Sequence, residues 1–241
     1  MQMIELLPEH GFGVLNADND FIREYTVKSP VKTATYALHH PADYTAENIV
    51  YSIHGMKFTV VHKDERIELE THLLGELNVL NILCAIAVAR HLEISWDVIR
   101  RGVKNMKQVE HRLEQRLING RMFIDDAFNS NPSGSAMALD VLSMMPGKRV
   151  VVTPGMIELG EQQDSINREF GAMMKGRADE VILVGSHQTE PILEGLRLSG
   201  FDMDHVTTVD RVKDAFDIVY QITTGEDTIL LENDLPDAFN R

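Results

Sequence analysis

Two adjacent carboxylates, Asp125 and Asp126, close an apolar run of Met122, Phe123 and Ile124. A short polar turn follows, with Asn129, Ser130 and Asn131, and Pro132 then opens an apolar-periodic stretch. A strand, a polar turn and a helix N-terminus in that order present groups to a ligand at the carboxyl edge of an α/β sheet. Carboxylates there accept from hydroxyls, and amides both donate and accept. The competing reading is a βα turn whose acidic and amide residues only cap, since Asn131 before Pro132 suits an N-cap followed by proline at the first helical position. The ten histidines form no H-x-x-x-H or H-E-x-x-H array. His39 and His40 are adjacent and cannot turn both rings to one ion from one strand face, so they read as solvated loop residues and no protein metal site is expected. Neither G-x-G-x-x-G nor G-x-x-x-x-G-K-[ST] occurs in the chain.

The elements that must position this turn show a change of rhythm near residues 108–111. Before it, residues 1–7 read as a helix and Gly13 to Asp18 as a short strand with a polar end. Residues 33–69 alternate apolar and polar side chains around His54-Gly55, a pattern that predicts antiparallel strands. Residues 78–92 are apolar nearly all round and predict a buried helix. Ser95 then suits the cap of a further helix over residues 96–106. From Arg112 onward, strands at 113–118, 121–126, 148–153, 180–185, 204–209 and 227–232 alternate with helices near 132–145, 161–175, 188–199 and 210–222. Short continuous runs such as Val150-Val151-Val152 and Val181-Ile182-Leu183-Val184 are the mark of strands covered on both faces. The expected fold is therefore α/β, with a doubly wound, Rossmann-like, mostly parallel sheet in the second part. A partial α/β domain with antiparallel strands precedes it.

Composition narrows the function. A length of 241 residues suits one large or two ordinary domains. The net charge of −14 argues against nucleic acid or an anionic membrane as partner. The single cysteine, Cys84, lies in an apolar run, which excludes internal disulfides and suits a reducing cytoplasm. No run approaches the roughly 18 apolar residues of a membrane span, and no signal peptide is seen.

Five stretches in register resemble the Mur ligase family: Asn16-Ala17-Asp18-Asn19, Asn78-Val79-Leu80-Asn81, His111-Arg112-Leu113-Glu114, Asp125 to Pro132, and Gly155-Met156-Ile157-Glu158-Leu159-Gly160. The last resembles the branch that adds D-alanyl-D-alanine to a UDP-N-acetylmuramoyl peptide in peptidoglycan precursor synthesis. The resemblance implies an ATP-dependent amide-bond ligase of three domains using ATP and Mg²⁺, with a UDP-MurNAc peptide and a small amine or dipeptide as substrates. Residues 1–111 resemble the second half of the central ATP-binding domain, and residues 112–241 the C-terminal domain. The P-loop, the Mg²⁺ ligands and the carbamylated lysine of the family are then expected to precede Met1. The chain reads as a fragment, inactive alone, whose cut edge is expected to expose apolar surface and drive dimerisation.

Residue by residue, the resemblance puts Asn78 and Asn81 at the adenine; the alternatives are a helix N-cap at Asn78 and a satisfied buried amide at Asn81. It puts Arg112 at the ATP phosphates, against a surface ion pair with Glu114. Asp126 corresponds to the acceptor of ribose hydroxyls, while Asp125 points to the other strand face and is structural. Asn129, Ser130 and Asn131 are candidates for the acyl-phosphate or peptide end, with turn and cap roles as the alternative. Asn16, Asp18 and Glu158 are weaker candidates. Three departures from the family pattern stand out: Leu77 where a histidine is usual, Phe128 where a lysine is usual, and an acidic ending at residues 230–237 in place of a basic, glycine- and serine-containing one. An aromatic at 128 is usual in the D-alanyl-D-alanine branch, whereas Leu77 and the acidic ending favour a rival reading, a non-catalytic module that binds nucleotide or a partner and regulates.

Overall fold

The computed structural model describes residues 2–52, 54–127 and 130–233, and the chain divides into two compact units, residues 1–107 and 108–241. In the first, α1 (Gln2–Glu5), β1 (Phe12–Asn16), α2 (Asp20–Arg23), β2 (Lys32–Ala37), β3 (Tyr44–Ser52), β4 (Gly55–His62) and β5 (Glu65–Thr71) are followed by α3 (Glu76–His91) and α4 (Trp96–Lys104). Its strands form one sheet in chain order. Antiparallel pairing holds for β3, β4 and β5, but β2 lies parallel to both of its neighbours, which corrects the expectation over residues 33–69. The half-buried alternation read there is the same for either strand direction. No long crossover is needed, because β2 and β3 overlap only at Tyr36–Tyr44 and Ala37–Thr45. Asp43 fixes that short return, accepting from the backbone N–H of Thr35 at 2.8 Å and from its hydroxyl at 2.9 Å.

Helix α3 packs Val79, Ile82, Leu83, Ile86 and Ala87 into the core, against β1, β2 and β3. It is not covered all round: Leu77, Asn81, Ala85 and Val88, with Leu92 just beyond its end, form an exposed stripe at spacings of three and four. Ser95 stands at the N-cap position of α4, but its side chain makes no capping bond.

The second unit runs β6 (Glu114–Ile118), β7 (Arg121–Asp126), α5 (Pro132–Ser143), β8 (Arg149–Thr153), α6 (Gln163–Met173), β9 (Glu180–Val184), α7 (Glu190–Ser199), β10 (Val206–Val209), α8 (Val212–Ile222) and β11 (Thr228–Glu232). The sheet order is β10-β9-β8-β11-β7-β6, and every pairing is parallel except β6 with β7. That pair is a hairpin closed by Asn119 and Gly120, both at positive φ (51° and 82°), the geometry of a type I′ turn whose twist matches the strands. On one face of the sheet Phe123, Val150, Val152, Ile182 and Ile229 pack with Ala215 and Val219 of α8. On the other, Ile124, Val151, Val181, Leu183 and Leu230 are equally buried, as strands covered on both sides require. Helices α6 and α7 cross closely, the α-carbon of Gly195 lying under the backbone of Arg168 and that of Gly171 under Ile192. The crossover through α5 carries the chain from β7 past one strand position to β8, and β11 later fills that position. Its last residue, Glu232, therefore comes level with Asp126. Among the described residues no helix is long and apolar enough to cross a membrane.

Candidate functional site

Three carboxylates collect at the carboxyl edge of β7 and β11. Asp125 is buried; its Oδ2 lies 3.0 Å from Nδ1 of His111, and its Oδ1 accepts from the backbone of Ala127 at 3.2 Å. Asp126, on the opposite strand face, accepts from the backbone N–H of Leu113 at 3.0 Å. Partial burial raises the Asp126 carboxyl above its ordinary range, with Asp125 adding to the rise; the Leu113 N–H and the charge of Arg112 work against it. Arg112 thus sits within electrostatic reach of the strand-end carboxylate. Glu114 has Arg116 as its partner, at 2.7 Å.

Glu232 is fully enclosed. The hydroxyls of Ser130 and Ser135 both donate to its Oε1 at 2.6 Å, while Oε2 is buried with no partner among the described residues. Burial first, and the neighbouring charge of Asp126 second, push this carboxyl up to about 8 against the two hydroxyl bonds. Asn233, at φ 66°, extends the strap. Its N–H donates to the Asp126 carbonyl at 3.3 Å, its Oδ1 accepts from Ser130 N–H at 3.2 Å, and its Nδ2 donates to the Gly155 carbonyl at 2.7 Å. Asn131 caps α5, accepting from Gly134 N–H at 2.9 Å. Phe128 and Asn129, with residues 234–237 of the acidic ending, lie outside the described residues.

The sequence shows Glu232 and Asn233 only as part of the acidic ending, and it marks neither them nor Ser135 as site residues. The readable signal was a carboxylate closing an apolar strand, as Asp125 and Asp126 do, on a strand covered on both faces. In the first unit Asn78 is not the N-cap of α3: Gly75 holds that position, at φ 88°, and the Asn78 side chain donates to the Leu74 carbonyl at 2.7 Å. Asn81 is exposed and not a buried amide. Asn16 accepts from Asp18 N–H at 2.9 Å in a local turn. Asp18 receives Leu38 N–H at 2.6 Å, His39 N–H at 3.0 Å and the His40 ring at 2.9 Å. Burial works to raise Asp18, but those donors outweigh it and hold it below the usual range. His39 and His40 are thus tied to acids, His39 lying 3.3 Å from Glu76.

Exposed Glu158, at φ 63°, rims a hollow of about 820 Å³ also lined by Gln163, Arg168, His187, Glu190 and Arg197. His111, Glu114 and Asp125 each bring one ligand atom within 4.8 Å of the others. The Arg116 guanidinium already stands on Glu114 and 3.8 Å from Asp125, so a cation is present there without a metal.

Residues 1–89 match the Mur ligase middle domain and residues 111–232 the Mur ligase glutamate ligase domain. The UDP-N-acetylmuramoyl-tripeptide–D-alanyl-D-alanine ligase of Escherichia coli is 29% identical over 210 residues, which is 86% of this chain and 46% of that enzyme. The Bacillus subtilis ligase of the same description is 26% identical over 236 residues, 96% of this chain and 50% of that one. The MurF ligase of Thermotoga maritima in complex with ADP matches with a TM-score of 0.82 at 19% identity, over 97% of this chain and 52% of that one. MurF from Acinetobacter baumannii matches with a TM-score of 0.78 at 21% identity, over 95% and 49%. At these identities the structural likeness concerns the fold. The chain spans about half the length of the curated relatives it matches.

Proposed function

The chain belongs to the Mur ligase family, and from that premise we propose that it carries part of an ATP-dependent amide-bond ligase of peptidoglycan precursor synthesis, joining D-alanyl-D-alanine to a UDP-N-acetylmuramoyl peptide. Both curated relatives described above are named for that reaction, and one structural relative was solved with ADP. In this reading residues 1–111 work as part of the central ATP-binding domain and residues 112–241 as the C-terminal domain, in the cytoplasm. The observation that carries it is Asp126, a carboxylate at the carboxyl edge of a parallel sheet with Arg112 in electrostatic reach.

The residues present fit a nucleotide in part. Asp126 offers an acceptor to ribose hydroxyls, and the Arg112 fork matches phosphate oxygens. Asn78 and Asn81 are assigned to the adenine, and the turn of Asn129, Ser130 and Asn131 to the acyl end of the substrate. ATP, when bound, supplies the phosphoryl group that activates a carboxylate for amide formation. This chain's contribution is to hold and orient, which is most of catalysis in such transfers. Mg²⁺ would neutralise phosphate charge, and none of these residues is assigned to it. With no G-x-x-x-x-G-K-[ST] motif in the sequence, the chain alone is expected to form no ADP from ATP.

Calorimetric titration of this chain with ADP tests the reading. Asp126→Asn and Arg112→Ala should each weaken binding by roughly tenfold or more, the scale of a lost charge-assisted hydrogen bond. Equal affinity in wild type and both variants, or no binding at all, overturns the nucleotide site. A regulatory module without ligase activity is the competing reading, favoured by exposed Leu77 where the family carries histidine. Restored ligation when this chain is paired with a P-loop-bearing half would exclude it.

A further inference from the structure

The turn after β7 is held by an acid that takes no part in the reading above. Glu232 ends β11, level with Asp126 on the next strand, and is about 1% exposed. Its Oε1 takes two hydroxyl protons at once, from Ser130 in the turn and from Ser135 in the first turn of α5. Asn233 repeats the grip with backbone groups, joining the end of β7, the turn and the loop after β8. Strand end, turn and helix start, which no regular ladder connects, are thereby fastened at one point.

We propose that Glu232 is a positioning residue: its carboxyl, clasping Ser130 and Ser135 together, pins Ser130 and the start of α5 against the end of the sheet. That this segment serves a nucleotide site rests on the function proposed above; that Glu232 pins it does not. The pocket holds the acid neutral, although the two hydroxyl bonds by themselves favour the carboxylate. Ionisation would set a charge in a closed pocket beside Asp126, the titratable group that bears on Glu232. Among the described residues the other elements packed there present no charge to it: α5 offers Ser135, and the loop after β8 offers the sulfur of Met156, 3.6 Å from the Ser135 hydroxyl. Arg112 acts on Asp126. As Glu232 ionises, Ser130 and the start of α5 should therefore open to water while the rest of the sheet stays closed.

The test uses the full chain with carbon-13-labelled glutamate, titrated from about pH 5 to about pH 10, alongside exchange protection of the Ser130 and Ser135 amides. The Glu232 carboxyl signal should titrate near 8, and protection of both amides should fall through the same interval by about tenfold or more, as expected when two buried hydrogen bonds are lost. Glu232→Gln keeps shape and acceptor without the charge, so its protection should be high and independent of pH. Glu232→Ala should be poorly protected at every pH. A carboxyl that titrates in the ordinary glutamate range, or unchanged protection in a folded Glu232→Ala chain, overturns the proposal; the wild-type titration decides even if that variant does not fold. Since no nucleotide is present, failure here is distinct from failure of ADP binding to respond to Asp126→Asn.

Discussion

Glu232→Gln should remove a pH dependence of stability that the wild-type chain carries at one position. An unfolded glutamate releases its proton near 4.5, whereas the buried Glu232 keeps it to about 8. Between those values the native state binds a proton that the unfolded state has lost, so the contribution of this group is full below 4.5, declines as pH rises, and is flat above about 8. At about 1.4 kcal/mol for each pH unit, the whole window amounts to roughly 5 kcal/mol, an order-of-magnitude upper bound. Glutamine cannot titrate, so the variant should gain on wild type by several kcal/mol between about pH 5 and about pH 8. Other titrating groups largely cancel in that difference. Urea unfolding of both proteins, followed by the methyl resonances of Ile124, Val150 and Ile229, measures the stability of the second unit alone. A stability difference that stays constant across the window means that Glu232 is ionised in the native protein, and the argument from burial and like charge fails.

Two further outcomes follow from packing. Gly195→Ala would drive a methyl group into the Arg168 backbone at the α6–α7 crossing, an overpacking that should cost about 1–3 kcal/mol in the same unfolding assay. Asn131→Ala removes the cap of α5 and should cost about 1 kcal/mol; a variant as stable as wild type but with weakened substrate binding would make Asn131 a ligand residue instead.

The second unit was the more legible part of the chain. Runs such as Val181 to Val184 need both faces covered, which fixes strand type and the parallel sheet together, and Pro132 after Asn131 marks a helix start by local chemistry alone. The direction of β2 was not legible, because half-buried alternation is the same in parallel and antiparallel pairing, and what decides it is Asp43 reaching back to Thr35. The exposed stripe of α3 was hidden for a related reason: its residues are as apolar as the buried ones, so composition cannot tell which side meets the sheet. Glu232 escaped notice because its burial comes from β11 returning between β7 and β8, a contact made across about a hundred residues of sequence. Asp126 could be marked by its place at a strand end, while the acid that sits beside it depends on topology.

The hairpin at Asn119-Gly120 acts as a ruler for the charges at the far end of its strands. Counting from that turn puts Glu114 opposite Asp125 and delivers the N–H of Leu113 to Asp126, with Arg112 one step further along. Adding a single residue to the turn would move that count by about 3.4 Å and send each β6 side chain to the other face. The spacing between a guanidinium and its counter-charge is thus dictated by a bend roughly 17 Å away.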